Sequence, residues 1–135
     1  MDNMITLSME KYKFFMFENE NALIILKIRD VEITKWEKLL DDLVNKNETM
    51  AISELVKETD LLFKKDLIKK RDELHELSDL FELQQKRLDN NLKLNIEDDY
   101  EGYMIQDILR DKMKTAQISL IELKYKFMVH FSTSH

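Results

Sequence analysis

Asp72, His75 and Asp79 stand three and four residues apart, a spacing that puts an imidazole and two carboxylates on one helix face. Such a face could supply part of a carboxylate–imidazole metal site. Two more ligands would have to come from another helix, and the chain holds no second D/E-x-x-H to complete a carboxylate-bridged bundle centre. A solvated helix side accounts for these residues without an ion. A second acidic group, Glu97, Asp98, Asp99 and Glu101, partly matches a calcium loop, with Glu97, Asp99, Glu101 and Gly102 at positions one, three, five and six. Position twelve, which needs a bidentate Glu, is Ile108, so these acids read as the start of a helix. No metal site and no cofactor are expected.

Nucleophilic chemistry has little to work with. The chain has no Cys and no G-x-S-x-G, and none of Ser8, Ser53, Ser78, Ser119, Ser132 and Ser134 combines a His nearby in sequence with a recognisable elbow. His130 and His135 lie at the C-terminal edge, where a partly charged imidazole suits the negative end of a helix dipole. Gly102 is the single glycine, and one glycine cannot build a phosphate-binding loop or a dinucleotide fingerprint. No catalytic residue is expected. The basic run Lys64, Lys65, Lys69, Lys70 and Arg71 is diluted by Asp66, Asp72 and Glu73 and has no aromatic ladder, which argues against nucleic acid as a partner. The eight Met, including Met9, Met16, Met104, Met113 and Met128, serve as core filling or as an adaptable groove for apolar segments.

The elements that would carry these residues follow from composition and pattern. In 135 residues there is one Gly and no Pro, which excludes turn-rich architectures, while 44% apolar and 36% charged residues suit one core under a charged surface. Length predicts a single domain, 1–135, and the absence of Cys makes a reducing cytoplasm the expected compartment. Phe14 to Phe17 and Ala22 to Leu26 are the longest apolar runs, too short for a membrane span, and no basic-then-apolar leader opens the chain. Residues 1–62 hold 8 Lys+Arg against 13 Asp+Glu, residues 63–94 hold 8 against 7, and residues 95–135 hold 5 against 7. The acid is concentrated in the N-terminal half.

A mainly α fold is expected, a helical bundle or long helical hairpin, with an N-terminal β-hairpin as a minor α+β component. Residues 1–33 are the ambiguous part. Tyr12 to Phe17 and Ala22 to Ile28 are short aromatic and β-branched runs separated by Glu18 to Asn21, which favours a hairpin, whereas one helix from Ser8 to Arg29 would group Tyr12, Phe15, Met16 and Leu23. Thr34-Lys-Trp-Glu37 is a capping box, predicting a short helix over 34–46 that frays in Asn45 to Thr49.

From 50 to 94 the apolar residues recur at threes, fours and sevens, predicting a helix about 65 Å long if unbroken. That exceeds the width of a compact domain of this size, so the helix either breaks near Asp60 or packs on another chain. Leu67, Leu74, Phe81 and Leu88 form a heptad row, but Lys70, Gln84 and Asn91 stand where a coiled-coil seam would be apolar. A C-terminal helix is expected over 103–131. Ile105, Leu109, Met113, Ala116, Leu120, Leu123 and Phe127 line one face, and Ile118, Ile121, Tyr125, Met128 and Val129 form a second apolar strip.

These features predict a non-enzymatic protein–protein interaction module: a helical adaptor, chaperone or inhibitor that binds a protein partner, or a second copy as a homodimer, through an apolar helix face. The contact row is expected in Leu74, Leu77, Phe81 and Leu88, or in Ile118, Ile121, Tyr125 and Met128. The alternative is an acidic decoy from a mobile element or phage that occupies a basic nucleic-acid-binding site of a host protein.

Overall fold

The computed structural model describes residues 2–49 and 54–134 and consists of three helices: α1 (Asp2–Thr49), α2 (Glu54–Lys93) and α3 (Tyr100–Ser134). There is no strand among the described residues. Contacts group the chain into two compact units, Met1–Lys27 with His75–Thr115 and Ile28–Leu74 with Ala116–His135. The helical bundle is present; the N-terminal hairpin is not.

In the first unit, α1 buries Ser8, Tyr12, Asn19, Ala22 and Leu26, α2 buries Leu77, Phe81, Gln84, Leu88 and Asn91, and α3 buries Gln106, Leu109 and Met113. These positions step by threes, fours and sevens, the spacing of one helix face. The stretch Glu18 to Asn21 is not a turn: Glu18 and Asn19 have partners on other helices, and Glu20 and Asn21 lie on the exposed side of the same helix. Asn19 is buried against Gln85 and Gln106, and Glu18 meets Arg110 and Gln106. With those groups satisfied, the two apolar runs around them join one helix in place of two strands. Of the residues grouped by the helical reading, Tyr12 is buried and Phe15, Met16 and Leu23 are half-buried.

In the second unit the core holds Ile33 and Leu40 from α1, Phe63, Leu67 and Leu74 from α2, and Leu120, Leu123 and Phe127 from α3. Trp36 stacks on Phe127 at 5.4 Å between ring centroids. The expected helix start at Thr34 is corrected here. Thr34 Oγ1 donates to the Asp30 carbonyl one turn back, and Glu37 pairs with Arg71, so the capping-box residues lie inside a continuous helix. That helix also runs through Asn45 to Thr49. The break near Asp60 is corrected too: α2 passes through it unbroken, and buried Asp60 Oδ1 lies 2.5 Å from His130 Nε2. The start of the long helix at Met50, with Ile52 and Ser53, falls outside the described residues.

The α2–α3 connection works without a positive-φ glycine. Asn95 takes φ 51°, the Ile96 amide donates to the Asn91 carbonyl at 3.0 Å and the Asn95 amide to Leu92 at 3.5 Å, the paired bonds of a Schellman cap. Asn tolerates the left-handed conformation better than most residues, so it serves where glycine is usual. Asp99 then caps α3, its Oδ1 accepting from the Gly102 amide at 3.0 Å.

Candidate functional site

Gly102 serves for space rather than for a special dihedral. A methyl group there would sit 2.4 Å from Asp99 Oδ2 and 3.3 Å from Arg87 Nε. Arg87 grips the Asp99 carboxylate through Nε and an Nη at 2.6 and 2.7 Å, and Asn91 donates to it at 2.8 Å. The Arg87 bonds, with Asn91 and the Gly102 amide, outweigh burial and hold the Asp99 carboxyl well below the usual carboxylate range; the Arg87 guanidinium is correspondingly pushed up by Asp99. The acids expected to open α3 therefore act as a cap and clamp with protein donors around them.

α1 closes over the same connection. Tyr12 Oη donates to the Ile96 carbonyl at 2.8 Å and accepts from the Asp99 amide at 3.0 Å, while Ser8 Oγ accepts from the Asp98 amide at 3.2 Å. Tyr103 Oη donates to Asp98, and burial pushes the Tyr103 phenol up to about 12. Deeper in this unit, Asn19 and Gln106 exchange amide hydrogen bonds at 2.7 and 3.0 Å, and Gln84 donates to Gln106 and to the Gly102 carbonyl. One polar layer thus draws on all three helices. Sequence reading missed it; the signal was Gln84 and Asn91 interrupting the apolar heptad.

The residues singled out for metal chemistry do not converge. Asp72, His75 and Asp79 lie on an exposed side of α2, and among the described residues no three His, Cys, Asp or Glu groups come together as an ion site. His130 packs flat on Phe63, 5.6 Å between ring centroids, beside Asp60. The basic run is spent largely within its unit: Lys64 on Asp41, Lys70 on Glu73 and Ser119, and Arg71 on Glu37 and Asp30.

The two expected contact rows part company. Leu74, Leu77, Phe81 and Leu88 are all 6% exposed or less, so this row belongs to the core and presents no surface. The correction has a physical basis: Gln84 and Asn91 find hydrogen-bond partners, and half-buried Lys70 reaches Glu73 and Ser119, so the polar companions do not exclude the row from the interior. Ile118, Ile121, Tyr125 and Met128 are 50–70% exposed along α3 of the second unit. Beside Ile121 lies a shallow cavity of about 70 Å³ lined by Arg29, Glu32, Ile33, Trp36, Leu120 and Lys124. Burial pushes the Glu32 carboxyl up, but hydrogen bonds from Arg29 and Lys124 outweigh it and leave the group below its ordinary value. The rim is charged and the floor apolar.

In the first unit a wider groove of about 590 Å³ runs between Leu80 and Leu83 of α2 and Ile105 and Ile108 of α3, edged by Lys86 and Lys112. Among the described residues, the exposed large apolar side chains include Ile118, Ile121, Tyr125 and Met128 of the strip and Leu80, Leu83 and Ile108 of the groove. Contiguous exposed apolar surface of this kind marks contact sites. No helix among the described residues is long and apolar enough to cross a membrane. Comparison with protein-family models, curated proteins and solved structures finds no match to this chain.

Proposed function

We propose that this chain is a non-enzymatic protein-binding module that takes an apolar helix of a protein partner on the α3 strip Ile118, Ile121, Tyr125 and Met128. One observation carries this: the strip is 50–70% exposed although α3 buries another apolar face, Leu120, Leu123 and Phe127, in its own unit. A helix with two apolar faces and one of them covered is a docking surface for a helix with i, i+3, i+4, i+7 anchors. Charges beside the strip favour a different molecule over a second copy. Antiparallel self-pairing about its centre would set Lys124 against Lys124 and Glu122 against Glu122.

The acidic-decoy reading draws less support. Glu18, Glu32, Glu37 and Asp41 of the acidic N-terminal half are paired with Arg110, Lys124, Arg71 and Lys64 inside the chain, which leaves fewer carboxylates for a basic partner surface. The test is partner capture from the native host with the wild-type chain and with Ile121→Glu and Tyr125→Glu. Both variants should keep the wild-type helical content and lose the captured protein, and binding should change little between low and high salt, because an apolar contact is weakly screened. Capture that survives both substitutions, or that collapses with salt alone, refutes the assignment.

A further inference from the structure

The α1 face opposite the first unit's core carries Leu7, Phe14, Phe17 and Ile24, all 55–62% exposed. Their spacing of seven, three and seven is that of a heptad seam, with Glu10 and Asn21 in the two intervening places. Ser8, Tyr12, Asn19, Ala22 and Leu26 occupy the other side of the helix, in the core. The seam is flanked by Lys13 and Glu20 on one side and by Lys11 and Glu18 on the other. Lys13 and Glu20 are exposed and have no ion pair among the described residues.

We propose that a second copy of this chain covers this face, the two α1 helices running antiparallel with Phe14 of each against Phe17 of the other. In that register Leu7 meets Ile24 at both ends of a seam about 25 Å long. Glu10 meets Asn21, whose amide donates to the carboxylate, so both polar interruptions are matched. On one flank Lys13 of each copy faces Glu20 of the other; on the other flank Lys11, over the Tyr103 ring, lies across from Glu18, which stays paired with Arg110. The two-fold axis doubles every pair.

Competing arrangements set like charges together. Sliding one helix by a heptad brings Glu20 against Glu20 and Glu18 against Glu18, while a parallel in-register pair places Glu10 against Glu10 inside the seam. Repulsion of that kind sets partner orientation in helix pairs. This contact uses a different helix and a different occupant from the α3 strip, so the two assignments stand or fall separately.

Sedimentation velocity on the full chain over a concentration series tests it. The wild type should dimerise with concentration, and Phe14→Glu with Phe17→Glu should give a monomer of unchanged helical content. Lys13→Glu should weaken the dimer roughly tenfold, from two exposed pairs made repulsive. Adding Glu20→Lys to Lys13→Glu restores opposite charges across the antiparallel seam and should recover the dimer. In a parallel pair Lys13 faces Glu18, and that second change would not rescue. A wild type that stays monomeric, a dimer indifferent to the Phe substitutions, or a charge swap that fails to restore association overturns the proposal.

Discussion

Gly102→Ala should destabilise this protein although alanine is the better helix former. In a helix interior the exchange is worth about 1 kcal/mol in favour of alanine. Here the added methyl would lie 2.4 Å from Asp99 Oδ2 and 2.8 Å from its Cγ, so the carboxylate must swing away. Moving it breaks the α3 cap, about 1 kcal/mol, and loosens the bonds from Arg87 and Asn91, about 2–3 kcal/mol between them after allowing for solvent around the guanidinium. The net loss is about 2–3 kcal/mol, or roughly 4 °C in Tm for each kcal/mol at this chain length. Urea unfolding followed by circular dichroism and by the fluorescence of Trp36 reads it. An Asp99→Ala background sharpens the test. With the carboxylate gone, Gly102→Ala meets no obstacle and should become neutral or stabilising. A stabilising effect in the wild type, or the same loss in both backgrounds, refutes the account of Gly102 as space for the clamp.

The remaining expectations concern the core, the polar layer and acid. Phe81→Ala should cost about 3–5 kcal/mol and Tyr125→Ala no more than about 0.5 kcal/mol, since one is buried and the other 70% exposed; equal costs in urea unfolding would show that the two rows are misplaced. Gln106→Ala should lose about 2–3 kcal/mol by leaving Asn19 and Gln84 short of a buried partner, and hydrogen exchange should rise in the first unit. Because the folded Asp99 carboxyl is held below its unfolded value of about 4, its contribution is present above that value and is lost as pH falls through the folded one. Acid unfolding of Asp99→Asn should therefore show a shallower loss of stability below about pH 4, and an unchanged acid limb would count against the clamp.

Helical content was legible in the sequence because few of its residues stop a helix. With one Gly and no Pro, the polar residues at 18–21, 45–49 and 60 are tolerated helix formers, and they interrupt a pattern without breaking a backbone. They look like breaks only while their partners are unknown. Asn19 finds Gln106, Asp60 finds His130, and Glu37 finds Arg71, each far away in sequence. The capping box at Thr34 shows the same limit, because a local hydrogen-bonding option is used only if the helix has not already passed through it. The α2–α3 connection was closer to the surface of the sequence: Asn and Asp take the turn positions where glycine is scarce, and they do so at Asn95, Asp98 and Asp99.

The contact rows mark where pattern stops being informative. Periodicity places Leu74, Leu77, Phe81 and Leu88 on one face and Ile118, Ile121, Tyr125 and Met128 on another with equal clarity, since both repeat at helical spacing. Which face is covered depends on the other two helices, and an apolar stripe carries no label for the surface it will meet. Composition and spacing were enough to specify a mainly helical fold, with long helices over most of α2 and α3, under a charged surface, because these depend on local backbone physics. Tertiary packing decided that the α2 row lies inside, that the α3 strip and the α1 seam lie outside, and that Gln84 and Asn91 sit in the interior. Burial is a property of pairs of surfaces, and a single chain position acquires it only when its neighbours in space are fixed.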